Sequence, residues 1–147
     1  MRIVLDRNVL LAAFGARGLC EALLSACLEG HDLVTSEHIL GELRRHLVGK
    51  FRLPARRADE VVAFLRDHAE LVEPAPVPAD ACPDPDDLPV LGTALAGRAE
   101  LLVTGDGELL ALGSHAGIAI VTPRAFLRLR SQFVTLKRQL LVPSDET

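Results

Sequence analysis

Cysteine is scarce in this sequence of 147 residues, and no long apolar run occurs in it. The three cysteines, Cys20, Cys27 and Cys82, are odd in number and show no paired metal-ligand spacing, which indicates neither a disulfide framework nor a zinc site. We interpret Cys20 and Cys27, two helical turns apart, as small core residues. Hydrophobic residues are 49% of the chain and charged residues 24%, which is too apolar for disorder and too interrupted by charge for a membrane span.

An excess of positive charge is lacking as well. The formal net charge of −4 argues against a general nucleic-acid-binding protein, so any contact with RNA must be local. One segment without acidic residues meets this requirement, and it contains Arg44, Arg45, Lys50, Arg52, Arg56 and Arg57. The segment predicts RNA binding by the first four of these residues, whereas a solvated helix face and loop explain it equally well.

The first residues lack the long apolar core of a secretory signal, because an acid, Asp6, follows only three apolar residues. We therefore expect the protein in the cytoplasm. A chain of this length fits one domain with one hydrophobic core. We predict a single α/β domain over residues 1–130 and a C-terminal tail over residues 131–147.

Short apolar runs alternate with helical patterns along the chain. The runs at 2–5, 32–35, 101–104 and 118–122 predict strands, and residues 71–72 are a further candidate. Apolar residues at helical spacing predict helices over 19–28, 36–47, 58–71 and 87–95, and another that begins at Pro123. This alternation indicates right-handed βαβ units, and hence a three-layer α/β/α domain with a central, mostly parallel sheet of about five strands.

Four acidic residues are expected at one end of this sheet. Asp6 and Asp106 each follow a predicted strand, and Asp87 begins the helix before the strand that leads to Asp106. Glu42 lies at the border of the buried stripe of its helix. Carboxylates packed together repel one another, and a hard cation such as Mg²⁺ or Mn²⁺ removes that conflict.

Taken singly, each of these acids has a simpler explanation. An aspartate at a helix start commonly caps the helix and stabilises it by ~1 kcal/mol, which accounts for Asp6, Asp87 and Asp106. Glu42 alone is typical of a solvated helix residue. Only the location of all four acids at the same sheet end favours a metal site.

Seven short motifs occur in an order that is more specific than any one of them. They are IVLDRNVL at 3–10, SE at 36–37, GEL at 41–43, DPDD at 84–87, ALA at 94–96, VTGD at 103–106 and IVTPRAFL at 120–127. In this order they resemble the PIN domains, in particular the bacterial PIN-type toxins of toxin–antitoxin systems. The resemblance extends over almost the whole chain, up to about Leu129.

The resemblance implies a metal-dependent endoribonuclease whose products carry 5′-phosphate and 3′-hydroxyl ends. Its acidic set is Asp6, Glu42, Asp87 and Asp106, with Asn8 and Thr104 in support. Asp6, Asp87 and Asp106 are the implied ligands of Mg²⁺ or Mn²⁺, and Glu42 helps to hold the metal or its water. The implied partners are an RNA substrate and a small antitoxin whose tail lays a basic side chain across the acids. A homodimer is a further expectation.

The sequence departs from the family pattern at four positions. Arg7 stands where relatives carry a small hydroxyl residue, and its charge is expected to pair with Asp6 and compete with a metal. Leu88 and Pro89 replace more polar residues, and Glu108 stands where relatives often have an aspartate, as an accessory ligand or a helix-start charge. The alternative function is therefore a disarmed module that binds RNA or an antitoxin without cleaving.

Two other classes of α/β protein are not supported, because this chain lacks a residue that each of them needs. A phosphatase of the haloacid dehalogenase type needs a second acid two residues after the first, where this chain has Asn8. A receiver domain needs an acidic pair at the first strand and a lysine at the end of the last strand, which here ends in Val121 and Thr122.

Overall fold

The computed structural model describes residues 1–15, 19–30 and 32–141 of the chain. The strands within these ranges are β1 (Arg2–Leu5), β2 (Asp32–Thr35), β3 (Glu70–Leu71), β4 (Leu101–Val103), β5 (Ser114–His115) and β6 (Ile118–Val121). The helices are α1 (Arg7–Gly15), α2 (Leu19–Gly30), α3 (Glu37–Gly49), α4 (Ala55–His68), α5 (Leu88–Ala96), α6 (Gly107–Leu112) and α7 (Pro123–Leu141). One turn of 3-10 helix, Pro85–Asp87, leads into α5.

The six strands form one sheet in the order β3-β2-β1-β4-β6-β5, parallel throughout except between β5 and β6. The predicted α/β fold with a mostly parallel sheet is confirmed. The strand that the sequence does not predict is β5, which has only two residues. It pairs with β6 through Ala116 and Gly117, both at positive φ, the conformation that a two-residue hairpin turn requires.

The register of the three central strands determines where the chain leaves the sheet after β1, β2 and β4. Leu5 of β1 is paired with Val103 of β4, so the next residues, Asp6 and Thr104, leave the sheet side by side. On the other side of β1, strand β2 ends at Thr35, and α3 follows it. Since carboxyl ends of parallel strands share one edge, the loops after β1, β2 and β4 open at the same place. We call this the acidic edge.

The helices differ from the prediction in three places. Helix α1 starts directly after Asp6, whereas the sequence suggested a first helix only from residue 19. Helix α4 ends at His68 instead of residue 71, because Ala69 is extended (φ −120, ψ 158) and leads into β3. Helix α6, of six residues, is too short for its periodicity to be read.

The C-terminal region consists of α7, which begins at Pro123 as predicted and runs to Leu141. It passes through residue 130, where the sequence placed a boundary between domain and tail. That division stays a prediction, and residues 142–147 lie outside the described part of the chain.

A proline-rich connector over residues 72–84 joins β3 to the 3-10 turn and passes close to α5. The backbone N–H of Ala75 donates to the carbonyl of Gly92 in α5 at 2.9 Å. The two backbones approach so closely that a Cβ atom at position 92 would overlap the carbonyl oxygen of Ala75. The connector therefore docks on α5 through its backbone, and this contact anchors the chain that goes on to Asp84 and Asp87.

Cys27 is free and buried, as predicted for a small core side chain, and Cys82 is free and buried as well. The side chain of Cys20 is not among the described ones. In the described ranges, no helix combines the length and apolar character that crossing a membrane requires.

Candidate acidic site

Asp6 is buried (2% exposed) at the end of β1 and is held by two hydrogen bonds. The hydroxyl of Thr104 donates to its Oδ2 at 2.7 Å, and the backbone N–H of Arg7 donates to its Oδ1 at 2.7 Å. Burial raises the pKa of Asp6 above its ordinary value, and both hydrogen bonds oppose that rise. The two donors fix the orientation of the carboxylate while leaving lone pairs on both oxygens.

Thr104 also connects Asp6 to Asp106. Its Oγ1 accepts a hydrogen bond from the backbone N–H of Asp106 at 3.0 Å. Asp106 in turn accepts the N–H of Glu108 on Oδ1 at 2.8 Å and so caps α6. The capping explanation is therefore right for one oxygen of Asp106, and the other oxygen remains for a ligand.

Asp87 cannot be explained as a cap. It precedes α5 but makes no side-chain cap hydrogen bond, and it is 1% exposed. Neither of its carboxylate oxygens has a hydrogen-bond partner among the described residues. Burial first, and then the charges of Asp106 and Asp6, raise its pKa to about 7. An ionised carboxylate without a donor or a counter-charge in contact is costly to bury, so this position favours a cation or a proton.

Glu42 lies on α3 and is 8% exposed, but its charge is balanced. An Arg7 guanidinium nitrogen lies 3.0 Å from its Oε1, and Nε2 of His38 lies 3.2 Å from the same oxygen. A guanidinium nitrogen of Arg45 lies 3.7 Å from its Oε2. The expected pairing of Arg7 with Asp6 through the side chain is therefore wrong: the backbone N–H of Arg7 contacts Asp6, and the guanidinium contacts Glu42.

The structure brings the four predicted acids to the acidic edge in two groups. Asp6, Asp87 and Asp106 are close enough that the charges of Asp6 and Asp106 raise the pKa of Asp87. Glu42 joins them through Arg7, whose positive charge also acts on Asp6 and Asp87. As the side chains stand, no set of three or more His, Cys, Asp or Glu residues in the described ranges encloses a common ion position.

The donor chemistry nevertheless fits a hard divalent cation. All the available ligand atoms of Asp6, Asp87 and Asp106 are carboxylate oxygens, which Mg²⁺ and Mn²⁺ prefer together with several retained waters. The unpartnered oxygens of buried Asp87 are the specific feature of this structure that such an ion would satisfy. The fit is one of ligand type and charge, with waters completing the coordination.

The two other supporting residues lie at the rim. Asn8 is exposed, and its Oδ1 accepts the backbone N–H of Gly105 at 3.4 Å, which ties the start of α1 to the loop after β4. Glu108 is exposed and contributes its backbone N–H to the cap on Asp106. Neither observation assigns a ligand role to the Glu108 carboxylate.

Three neighbours of the site were missed by sequence reasoning. The contact of His38 with Glu42 could be predicted from the sequence, because His38 lies four residues before Glu42 on the same face of α3. Asp84 is part of a quoted motif, and its charge helps raise the pKa of Asp87. Cys82 lies close by, since burial first and then the charges of Asp87 and Asp84 raise the pKa of its thiol.

The predicted RNA-binding residues are partly engaged by acids. Arg44 is paired with Asp59 at 2.6 Å, and Arg45 is near Glu42 at the acidic edge. Lys50 ends α3, and Arg52 follows it with a positive φ of 54°. A role for these four residues in RNA binding stays a prediction.

The bridging role of Thr104 leads to a paired prediction. Thr104→Val keeps the shape of the side chain but removes the donor to Oδ2 of Asp6 and the acceptor of the Asp106 N–H. We therefore expect the free energy of unfolding to fall by about 2 kcal/mol. Thr35, at the end of β2, is also buried, but its hydroxyl has no partner among the described residues. Thr35→Val should therefore raise the same quantity by up to about 1 kcal/mol.

Urea unfolding of both variants beside the wild-type protein measures these changes. An equal decrease of the free energy of unfolding in both variants would mean that the hydrogen bonds of Thr104 contribute no stability beyond the packing of its side chain.

A family model described as PIN domain matches residues 2–108 of the chain. Among solved structures, a chain from the crystal structure of VapBC2 from Rickettsia felis bound to a DNA fragment from their promoter aligns with a TM-score of 0.60. The alignment covers 83% of this chain and 98% of that chain at 14% sequence identity, so it shows a common fold. No curated protein matches significantly.

Proposed function

Because this chain belongs to the PIN domain family, we propose that it is a divalent-metal-dependent endoribonuclease and the toxin of a toxin–antitoxin pair. PIN domains are generally nucleases, and the proposal narrows that activity to RNA and to this acidic edge. The observation that carries it is Asp87, a buried carboxylate that has no hydrogen-bond donor among the described residues and whose pKa is raised to about 7 by burial and neighbouring acids. A protein gains nothing in stability from such a group, so we infer that it is kept for a ligand.

In this proposal Asp6, Asp87 and Asp106 hold Mg²⁺ or Mn²⁺. When bound, the ion would lower the pKa of a water and neutralise charge on the leaving oxygen of the phosphodiester. The chain's own residues prepare the site. Thr104 orients Asp6 and Asp106 together, and the helix cap on Asp106 fixes which of its oxygens faces the crevice. Glu42 contacts the guanidinium of Arg7 at 3.0 Å and so holds Arg7 beside the site.

A small antitoxin is the proposed protein partner. The acidic edge offers carboxylates to a basic side chain from such a partner, by the same charge complementarity that suits a metal ion. The Rickettsia felis neighbour is a protein pair solved on DNA from their own promoter, which supports the proposal of a paired gene product here. We also propose that the protein acts in the cytoplasm and forms a homodimer.

Cleavage of labelled RNA with and without Mn²⁺ tests the function, with Asp106→Asn as the matched variant. Asparagine caps a helix as well as aspartate does, so the substitution removes the charge while keeping the start of α6. We expect cleavage that requires Mn²⁺ and falls about 100-fold in the variant. Cleavage that persists in Asp106→Asn would identify a contaminating nuclease, and the proposed function would then lack support.

A second candidate, the disarmed module, is favoured by one observation. The guanidinium of Arg7 occupies the side of the site next to Glu42, and its charge acts on Asp6 and Asp87. If this charge replaces the metal, the wild-type protein should bind no Mn²⁺ in isothermal titration. Binding that disappears in Asp106→Asn would exclude the disarmed module.

A further inference from the structure

Among the described residues, Arg7 is a cation whose charge interacts with Glu42, Asp6 and Asp87 at the acidic edge. One guanidinium nitrogen donates to Oε1 of Glu42 at 3.0 Å. Burial acts to lower the pKa of Arg7, but the charges of Glu42, Asp6 and Asp87 outweigh it and raise that pKa above its ordinary value. The side chain is therefore permanently charged and lies between α3 and the carboxylates of the other strands.

The guanidinium retains unused hydrogen-bonding capacity. An arginine head has five N–H donors, and in the described part of the chain only the contact with Glu42 engages one. The side chain is 27% exposed, so it is accessible from the mouth of the site. A residue that served only to neutralise a carboxylate would be expected to pair with it through two parallel N–H···O bonds. Arg7 instead has one anchored nitrogen and open donors.

We propose that Arg7, anchored by Glu42, binds a non-bridging oxygen of the scissile phosphate of RNA. The inference rests on the proposed function and adds a substrate-binding residue to it. A guanidinium is suited to this task, because its planar fork matches two phosphate oxygens and its charge does not depend on pH. Glu42 then acts as a positioning residue, which limits the rotamers of a long side chain.

Electrostatics at the acidic edge explains why such a group is needed. A phosphodiester adds negative charge to a site that already contains Asp6, Asp87 and Asp106, and repulsion opposes its approach. In the described ranges, Arg7 is the cationic residue whose charge acts on both Asp6 and Asp87. It provides a fixed positive group beside these carboxylates. Preorganised groups of this kind stabilise the charge that develops on a phosphate during hydrolysis.

The test separates binding from cleavage. Affinity for a short single-stranded RNA is measured by fluorescence anisotropy in EDTA at several salt concentrations, with Arg7→Met beside the wild-type protein. We expect about tenfold weaker binding and a salt dependence of log K reduced by about 0.7, the contribution of one phosphate contact to a single strand. Arg98→Met is the control, since Arg98 is exposed at the opposite edge of the sheet, before β4.

Arg7→Lys and Arg7→Thr complete the test with Mn²⁺ present. Lysine keeps the charge without the fork, so the KM for RNA should rise less than in Arg7→Met, and the thermal midpoint verifies folding of each variant. Unchanged affinity and salt dependence in Arg7→Met would overturn the proposal. So would a gain in cleavage and in Mn²⁺ affinity in Arg7→Thr, because it would show that Arg7 blocks the ion.

These outcomes are distinguishable from failure of the proposed function. If the wild-type protein cleaves no RNA, the anisotropy arm still reports whether Arg7 contacts phosphate. If it cleaves but Arg7→Met binds RNA normally, the nuclease stands and the role of Arg7 is lost.

Discussion

Asp87→Asn should remove RNA cleavage almost completely while making the protein more stable. In the part of the chain that the structure describes, neither oxygen of this carboxylate has a donor, so its full charge is available to a metal ion. Its removal should therefore cost more activity than the loss of Asp106, which spends one oxygen on a helix cap. We expect a decrease in kcat/KM of about 1000-fold, measured with labelled RNA and Mn²⁺.

The gain in stability depends on pH with a definite sign. The pKa of Asp87 is about 7 in the folded protein and about 3.9 in the unfolded chain, so folding favours the protonated form. The contribution of Asp87 to stability is therefore fully present below about pH 4 and is lost as the pH rises towards 7. The asparagine side chain has no such loss. In EDTA at pH 8 the variant should be about 2 kcal/mol more stable, less than the full shift because solvent and nearby dipoles screen the charge.

Denaturant unfolding between pH 4 and pH 8 measures this difference. The control is Asp86→Asn, because Asp86 belongs to the same 3-10 turn but is exposed. The control should match the wild-type protein at every pH. If Asp87→Asn also shows no pH-dependent gain, then Asp87 is not strained by burial in the metal-free protein. The central observation behind the proposed function would then be removed.

Gly92→Ala should destabilise the protein by about 3 kcal/mol, because the new methyl group meets a backbone that cannot rotate away. The obstacle is the carbonyl oxygen of Ala75, which belongs to a connector hydrogen-bonded to the same residue. Either α5 or the connector must move, and both lead to the 3-10 turn that places Asp87. We therefore expect weaker Mn²⁺ binding as well as a lower midpoint in urea.

Gly41→Ala is the matched control. Gly41 is exposed in the interior of α3, one residue from Glu42. Apart from the adjoining backbone of α3, an added Cβ would have no described atom within 4 Å. Alanine is favoured over glycine in a helix, so this variant should be about 0.5–1 kcal/mol more stable. A comparable loss in both variants would show that the close approach of the connector is unimportant.

The sequence predicts the strands of the sheet well where they are buried on both faces. Strands β1 and β2 each have three consecutive buried residues, since a central parallel strand is covered by helices on each side. Helix α1 is missed because the residues from Val9 to Phe14 are all apolar, so that its sequence shows little contrast between faces. The end of α4 is missed for a different reason. Apolar residues continue beyond His68, and only the backbone angles of Ala69 separate helix from strand.

The sequence predicts which acidic residues lie at the acidic edge, but it does not predict the contacts that they make there. The positions of Asp6 and Asp106 follow from strand ends, which topology alone brings together. The contact of Arg7 with Glu42 joins residues 35 positions apart and depends on the reach of a flexible side chain. The unpartnered state of Asp87 is likewise a property of its surroundings, which no spacing along the chain encodes.

The pairing of Leu5 with Val103 sets the register between β1 and β4. The geometry of the acidic edge depends on this register as much as the packing of the sheet does. Side chains alternate between the faces of a strand, so a shift of one residue would turn Thr104 away from Asp6. The hydrophobic interior tolerates small adjustments, but this hydroxyl bridge does not. A single-residue insertion or deletion in β4 would therefore give a chain that still collapses into layers and has no functional centre.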